Sequence, residues 1–365
     1  MRAASGLAQG RQAEAALVTE AVRIAMHTAE LDIAQSVVLY LSSDFARDPQ
    51  PAIAAAARAG GCTQVAGCTA AGVFDQHDWV LDAPAAAALV LGDGAHLHPQ
   101  HADSHSVLTF CAPNALDLAW LQSGPPRFGG VSGDATGQGL FSVWQNARLR
   151  DDGRAELSLH GADSRIDFSQ GIQPLTQPQP LDRVAGHDVQ VIGGRKALPS
   201  LAAELPLSVR APARIPTHLL MAGIPYGDPH NAVAEGRFHL LPVVAVNSDD
   251  QSVTIAGQLS PGQALFWALR KPKAAADDMS AMLDRFDAAT AAPPRFGLMF
   301  PCMGRGPMFY GGEDRDQKIL AERYPGLPFI GFYGNGEIAH FDGANRLLQY
   351  STVLALGYDT LGYNT

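Results

Sequence analysis

The segment Val65-Ala-Gly-Cys-Thr-Ala-Ala-Gly-Val-Phe74 has a counterpart near the other end of the chain, Phe329-Ile-Gly-Phe-Tyr-Gly-Asn-Gly-Glu-Ile338, and four residues separate the outer glycines in both. Each is preceded by a short apolar run, Val37-Val-Leu-Tyr-Leu41 or Phe296-Gly-Leu-Met-Phe300, and followed by another, Ala87-Ala-Leu-Val-Leu91 or Thr352-Val-Leu-Ala-Leu356. Runs of this length between chain breakers read as buried strands. Glycine permits positive φ and close backbone approach, so each unit turns sharply past a strand end and leaves backbone N–H groups and side chains around a concave edge. One structural unit present twice, in two lobes, is the expectation, with a ligand site at the strand ends.

A chain of 365 residues is long for one core, so two domains are expected. With 47% apolar and 17% charged residues it can bury ample core without a metal or disulfide staple. A net charge of -10 and the lack of a basic block repel polyanions, which argues against nucleic-acid binding. No apolar stretch reaches the ~18 to 20 residues that cross a bilayer, and the N-terminus lacks a basic region followed by an apolar one. Membrane insertion is therefore not expected, and the reading is cytoplasmic. Cys62, Cys68, Cys111 and Cys302 are scattered without zinc or CxxC spacing, so they read as free thiols.

Along the chain, apolar residues at helical spacing from Ala13 to Leu31 predict an amphipathic helix. Strands are predicted at 37–41, 63–67 and 86–91, with a helix between the first two. Leu140 to Trp144 and Ala155 to Leu159, joined through Asp151-Asp-Gly153, read as a hairpin. Prolines at 174, 178 and 180 mark an irregular connector. A second connector after a short helix places the domain boundary near 205–215, giving domains 1–209 and 210–365. In the second domain, Met279, Met282, Leu283 and Phe286 make a buried helix stripe, and strand 296–300, helix 313–324, strand 328–332 and strand 349–356 repeat the order of the first unit. The fold class is α/β with mixed sheets.

The densest polar cluster is Cys302-Met-Gly-Arg-Gly306 at one strand end, with Tyr333, Asn335 and Glu337 after the partner strand. Strand ends of this kind face pockets. Arg305 offers a fork of donors to a carboxylate or phosphate, Glu337 suits an amine, and the two could instead pair with each other. Cys302 has no histidine near it in sequence to act as a base, so the reading is binding, not catalysis, and no enzyme is expected. Cys68 and Thr69 at the first glycine turn, and Ser132 in Gly129-Gly-Val-Ser-Gly-Asp-Ala-Thr-Gly137, border the same expected pocket; that stretch lacks the lysine of a phosphate loop. His96, His98, His101 and His105 crowd one segment with only Asp103 as a carboxylate neighbour, which reads as a loop that holds metal loosely instead of a dedicated metal site. Neither His160 nor His187 sits in a spacing that identifies a haem ligand.

These residues together resemble the FIST-domain family. The N-terminal part is similar through Val65-Ala-Gly-Cys-Thr-Ala-Ala-Gly72, Gly129-Gly130, Gly171-Ile-Gln-Pro174 and Gly193-Gly-Arg-Lys-Ala-Leu198, and the C-terminal part through Phe300-Pro-Cys-Met-Gly-Arg-Gly306 and Pro328-Phe-Ile-Gly-Phe-Tyr-Gly-Asn-Gly-Glu-Ile338. The resemblance spans about residues 30–357. It implies a stand-alone bacterial sensory protein that binds a small ligand, with amino acids proposed as ligands. Signalling would then run through a separate partner protein or a homo-oligomer. Some bacterial family members bind haem and sense nitric oxide, acting on a partner kinase or cyclic-di-GMP enzyme, so the resemblance carries that alternative too. A scaffold that binds no ligand is a third.

Overall fold

A computed structural model describes residues 1–99, 106–134 and 137–360. The chain forms two compact units, one of Met1–Ser169 with Met279–Thr365 and one of Gln170–Asp278. The mixed α/β class holds. The units follow a different line from a cut at 209/210, because the strands before Ser169 pair with strands near the C-terminus.

In chain order, the first unit begins with β1 (Arg2–Gln9), α1 (Ala15–Thr28), β2 (Ser36–Ser42), α2 (Gln50–Gly60), β3 (Val65–Ala70), β4 (Gly72–Asp75), β5 (Trp79–Leu81) and β6 (Ala85–Gly92). Next come β7 (His96–Pro99), β8 (Val107–Cys111), α3 (Leu118–Gln122), β9 (Arg127–Val131), β10 (Val143–Gln145), β11 (Arg148–Leu149), β12 (Arg154–His160) and β13 (Ala162–Ser169). The second unit holds β14 (Ile172–Pro174), β15 (Gln179–Ala185), β16 (Asp188–Ile192), β17 (Arg195–Lys196), α4 (Ala197–Ala203), β18 (Leu220–Pro225), α5 (Pro229–Ala232), β19 (Phe238–Val246), β20 (Val253–Ile255) and β21 (Ala264–Arg270). After α6 (Pro272–Ala289), the chain completes the first unit with β22 (Phe296–Pro301), α7 (Pro307–Tyr310), α8 (Arg315–Arg323), β23 (Phe329–Tyr333), β24 (Glu337–Phe341), β25 (Ala344–Leu348) and β26 (Thr352–Asp359).

The glycine segments belong to a unit that occurs three times, not twice, and the repeats share one compact body instead of occupying two lobes. Each repeat has six strands: β1 to β6, β7 to β12, and β13 with β22 to β26. In each, the sixth strand lies between the first and second, antiparallel to both, and the third runs parallel to the second. The fourth and fifth strands form a hairpin that leaves its own sheet and pairs with the third strand of another repeat. β10–β11 joins β3, β24–β25 joins β9, and β4–β5 joins β23. Three hydrogen bonds close the same cycle past the strand ends, from Gly133 N–H to the Thr69 carbonyl, Asn335 N–H to Val131 and Ala71 N–H to Tyr333.

Register identifies equivalent residues. Leu39, Thr109 and Met299 stand opposite Gly67, Gly129 and Gly331. A Cβ at these glycines would lie 1.8, 2.0 and 2.4 Å from the carbonyl oxygen of the opposing residue, so this close approach requires glycine in every repeat. One position further on, the rings of Tyr40, Phe110 and Phe300 meet with centroids 5.7, 6.4 and 6.4 Å apart. They belong to a core built from the inner faces of all three sheets. One position earlier, Val38, Leu108 and Leu298 line an apolar cavity of ≈ 10 Å³, about the room a single water needs.

The outer faces differ. α1 and α2 pack Val18, Val22 and Ile53 on the first sheet, and the Met279, Met282, Leu283 and Phe286 stripe of α6 packs on the third with Leu320 of α8. The second repeat has only seven residues, 100–106, between β7 and β8, half the length of α1.

Other expectations change. β10 pairs with β3 and β11, and β12 with β7 and β8, so residues 140–144 and 155–159 do not make a hairpin with each other. The connector marked by Pro174, Pro178 and Pro180 contains the end of β14 and the start of β15, where Pro180 donates no ladder bond of its own yet leaves its carbonyl to accept from Gly193 N–H. In the second unit, β21-β15-β16-β20-β19-β18 returns to β21 and closes a ring around Leu181, Val253, Leu265 and Trp267.

Candidate functional site

The strand ends carrying Cys302, Arg305, Tyr333, Asn335 and Glu337 all lie in the third repeat. In each repeat the second strand runs into one turn of 3₁₀ helix: Ser43–Phe45, Pro113–Ala115 and Met303–Arg305. Arg305 therefore occupies the position of Phe45 and Ala115, and Cys302 that of Ser42 and Ala112. Glu337 pairs with Gly130, where Val73 pairs with Phe332 and Val143 with Cys68, so two valines are its equivalents. The repeats thus share a backbone, and only the third fills these places with a thiol, a guanidinium and a carboxyl group.

Arg305 is 1% exposed and its ion pair is with Asp316, Nε to Oδ2 at 2.7 Å, instead of with Glu337. Nη1 donates to the Ser169 carbonyl at 2.7 Å and Nη2 to Ser169 Oγ at 2.8 Å. Tyr310 Oη and Thr352 Oγ1 donate to the same Asp316 carboxylate. The fork expected to take a ligand carboxylate is thus engaged within the protein. Asp314 caps α8 through Gln317 N–H and accepts from Tyr333 Oη. Burial first, and then the Asp316 charge, push its carboxyl up to about 6. Tyr333 is buried, and burial with the Asp314 charge raises its phenol.

Glu337 is fully buried and lies on the other side of the strand end. Its Oε2 accepts from Ser351 N–H at 3.2 Å and from Ser351 Oγ at 2.5 Å, while Oε1 has no hydrogen-bond partner. Burial pushes the carboxyl up to about 8, against smaller lowering effects from Ser351, the adjacent Cys302 thiol and the Arg305 charge. Burial thus favours the protonated form. With Oε2 accepting twice, the proton belongs on Oε1. Cys302 is buried at 8% exposure with Glu337 beside it, and its neighbours Met303, Gly304 and Asn335 are half-buried.

The residues expected from the first unit meet elsewhere on the strand ends. Ser132 Oγ donates to the Thr69 carbonyl at 2.6 Å and lies 3.3 Å from Thr69 Oγ1, and both are fully buried. Cys68 faces the inner core, where burial raises its thiol well above the ordinary range. Sequence reasoning missed Asp314 and Asp316. Their signal was Asp314-Arg-Asp316 at the start of a predicted helix, although nothing local shows that Asp316 faces Arg305. Among the described residues no three His, Cys, Asp or Glu donors gather around one point. His101, Asp103 and His105 lie outside the described residues.

The FIST N domain matches residues 35–195 and the FIST C domain residues 194–340. The chain is also similar to the uncharacterized protein Rv0628c of Mycobacterium tuberculosis, 27% identical over 63% of this chain and 60% of that protein. It resembles the uncharacterized protein Mb0898c of Mycobacterium bovis as well, 25% identical over 64% of this chain and 60% of that protein. The chain thus spans less than two thirds of the length of these relatives. With both domain matches end to end over the repeats and the ring of strands, the chain belongs to the FIST-domain family of sensory and signal-transduction domains.

Proposed function

We propose that this protein is a non-enzymatic sensor that binds an amino acid or similar polar amine-bearing metabolite at the strand ends of the third repeat and signals through a separate protein. The observation that carries the reading is Glu337. The fold fills its position with valine twice, so folding does not require a carboxyl group there, and burying an unpartnered carboxyl oxygen costs about 1–3 kcal/mol. Groups that work against stability at strand ends are those kept for binding. A ligand would enter past Cys302 and Asn335, where the 3₁₀ turn Met303–Arg305 contains Gly304 and is followed by Gly306.

A ligand ammonium that reaches Oε1 stabilises the ionised carboxylate, so binding at pH 7 releases a proton. Calorimetric titration with a panel of amino acids, each run in two buffers of different ionisation enthalpy, measures that proton. The expected result is a ligand whose apparent enthalpy changes with buffer and whose binding falls at least tenfold in Glu337→Gln. Binding that is indifferent to both would remove Glu337 from the site.

The haem alternative gains no support from these residues. His187 Nδ1 is 2.7 Å from the Gly257 carbonyl, His160 packs against other imidazoles, and the apolar cavity of ≈ 10 Å³ is far too small for a porphyrin.

A further inference from the structure

We propose that His96, His98 and His160 form a site for a divalent transition-metal ion on the outer face of the second repeat. The sequence drew attention to the histidines of 96–105 as a loop. Two of them stand instead on β7, two residues apart and hence on one face, and His160 of β12 is directly opposite His96. The three rings form a closed triangle, with centroids 4.9 Å apart for His96 and His98, 5.6 Å for His96 and His160, and 5.4 Å for His98 and His160. Three imidazoles bound to one ion at Zn–N distances of ~2.0–2.1 Å hold their centroids roughly 5 Å apart, so the backbone already provides the spacing. The donor atoms do not converge as the rings stand. Binding requires the His98 and His160 imidazoles to turn about Cβ–Cγ, a soft torsion, while the Gly94 carbonyl holds His96.

Three further observations support an ion here. His96 Nδ1 lies 2.8 Å from the Gly94 carbonyl, which can only accept, so Nδ1 carries the proton and Nε2 offers its lone pair. The face is polar where its equivalents are apolar. Glu156 and Ser158 of β12 replace Ala88 and Val90 of the first repeat and Leu354 and Leu356 of the third, which are buried there in the clusters that α1 and α6 complete. His96 and His98 are half-buried and His160 exposed, within reach of solvent. The net charge of -10 also draws cations to the surface. Imidazoles alone, with no thiolate, select zinc, nickel or copper over magnesium or calcium.

Because β7 is the edge strand of its sheet, an ion shared between β7 and β12 would clamp that edge. Zinc chloride titrated into the full chain at pH 7.5, followed by calorimetry and thermal unfolding, tests this. The expected result is one ion per chain and a rise in Tm with zinc. His96→Gln, His98→Gln and His160→Gln together should lower affinity at least a hundredfold and abolish the Tm rise, while His101→Gln with His105→Gln changes affinity less than threefold. In the unsubstituted chain, imidazole NMR signals of His96, His98 and His160 should shift with zinc, which reads the site even if the triple variant folds poorly. Undiminished affinity in the folded triple variant, or shifts confined to other histidines, would overturn the assignment.

Discussion

Glu337 ties stability to pH in a definite direction. Its folded-state pKa of about 8 stands above the ordinary 4.5, so between those values the folded chain holds a proton that the unfolded chain has released. This group therefore makes stability fall as pH rises from about 4.5 to 8 and level off above that. Asp314, raised to about 6, adds a smaller fall of the same sign at the low end. In Glu337→Gln the first contribution disappears, so the variant gains on the parent as pH rises through the window. Urea unfolding at a series of pH values measures the gap, and two parallel curves would sink the idea that the carboxyl is buried and protonated. The residue was legible as a member of a strand-end cluster because Gly-Glu follows a strand-like run. Its isolation from Arg305 was not, because the choice between Glu337 and Asp316 as the ion-pair partner depends on which element packs against the 3₁₀ turn.

At the scale of elements, the parallel pairing of second and third strands rests on a glycine that admits the opposing carbonyl. Gly67→Ala places a methyl group 1.8 Å from the Leu39 oxygen at φ 155°, so the strands must separate locally. A loss of about 3 kcal/mol or more is expected in chemical denaturation, against well under 1 kcal/mol for an exposed substitution such as Arg148→Ala in β11. A loss below 1 kcal/mol at Gly67 would mean that the close approach does not constrain the sheet. The apolar runs of β2, β6, β22, β23 and β26 and the stripe of α6 were readable because each is bounded by breakers and has one period. The second repeat was not recognised. Arg127-Phe-Gly-Gly-Val131 has the equivalent glycine but lacks the outer one, with Asp134 in its place, and no α1-sized helix precedes it. Hairpins were foreseen as local pairs, whereas their hydrogen bonds go to a sheet that lies far away in sequence.

For the whole molecule, the two units differ in how far each can stand alone. Gln170–Asp278 is continuous in sequence, has its own core around Trp267 and closes its strands on themselves. Produced as a fragment, it should give dispersed NMR signals and a cooperative thermal transition. A fragment of residues 1–99 contains a complete first repeat by sequence, yet β3 lacks the β10 hairpin and β4 lacks β23, and the inner core loses Phe110 and Phe300. It should remain unfolded or aggregate. The opposite outcome for either fragment would contradict the hairpin exchange or the boundary at Gln170.

The exchange of hairpins in one rotational sense also dictates where change is tolerated. Removing any single repeat would strip an edge from one neighbour and orphan a ribbon on the other, so the strand framework interlocks like the staves of a keg and varies as a set. The wrapping on its outside carries no such obligation: the first repeat has a fourteen-residue α1 where the second has no room for one. Novel specificities in such an architecture arise at the exterior faces and at the turns capping the strands, and this chain departs from its own internal symmetry at both, with imidazoles on one and a buried acid behind the other.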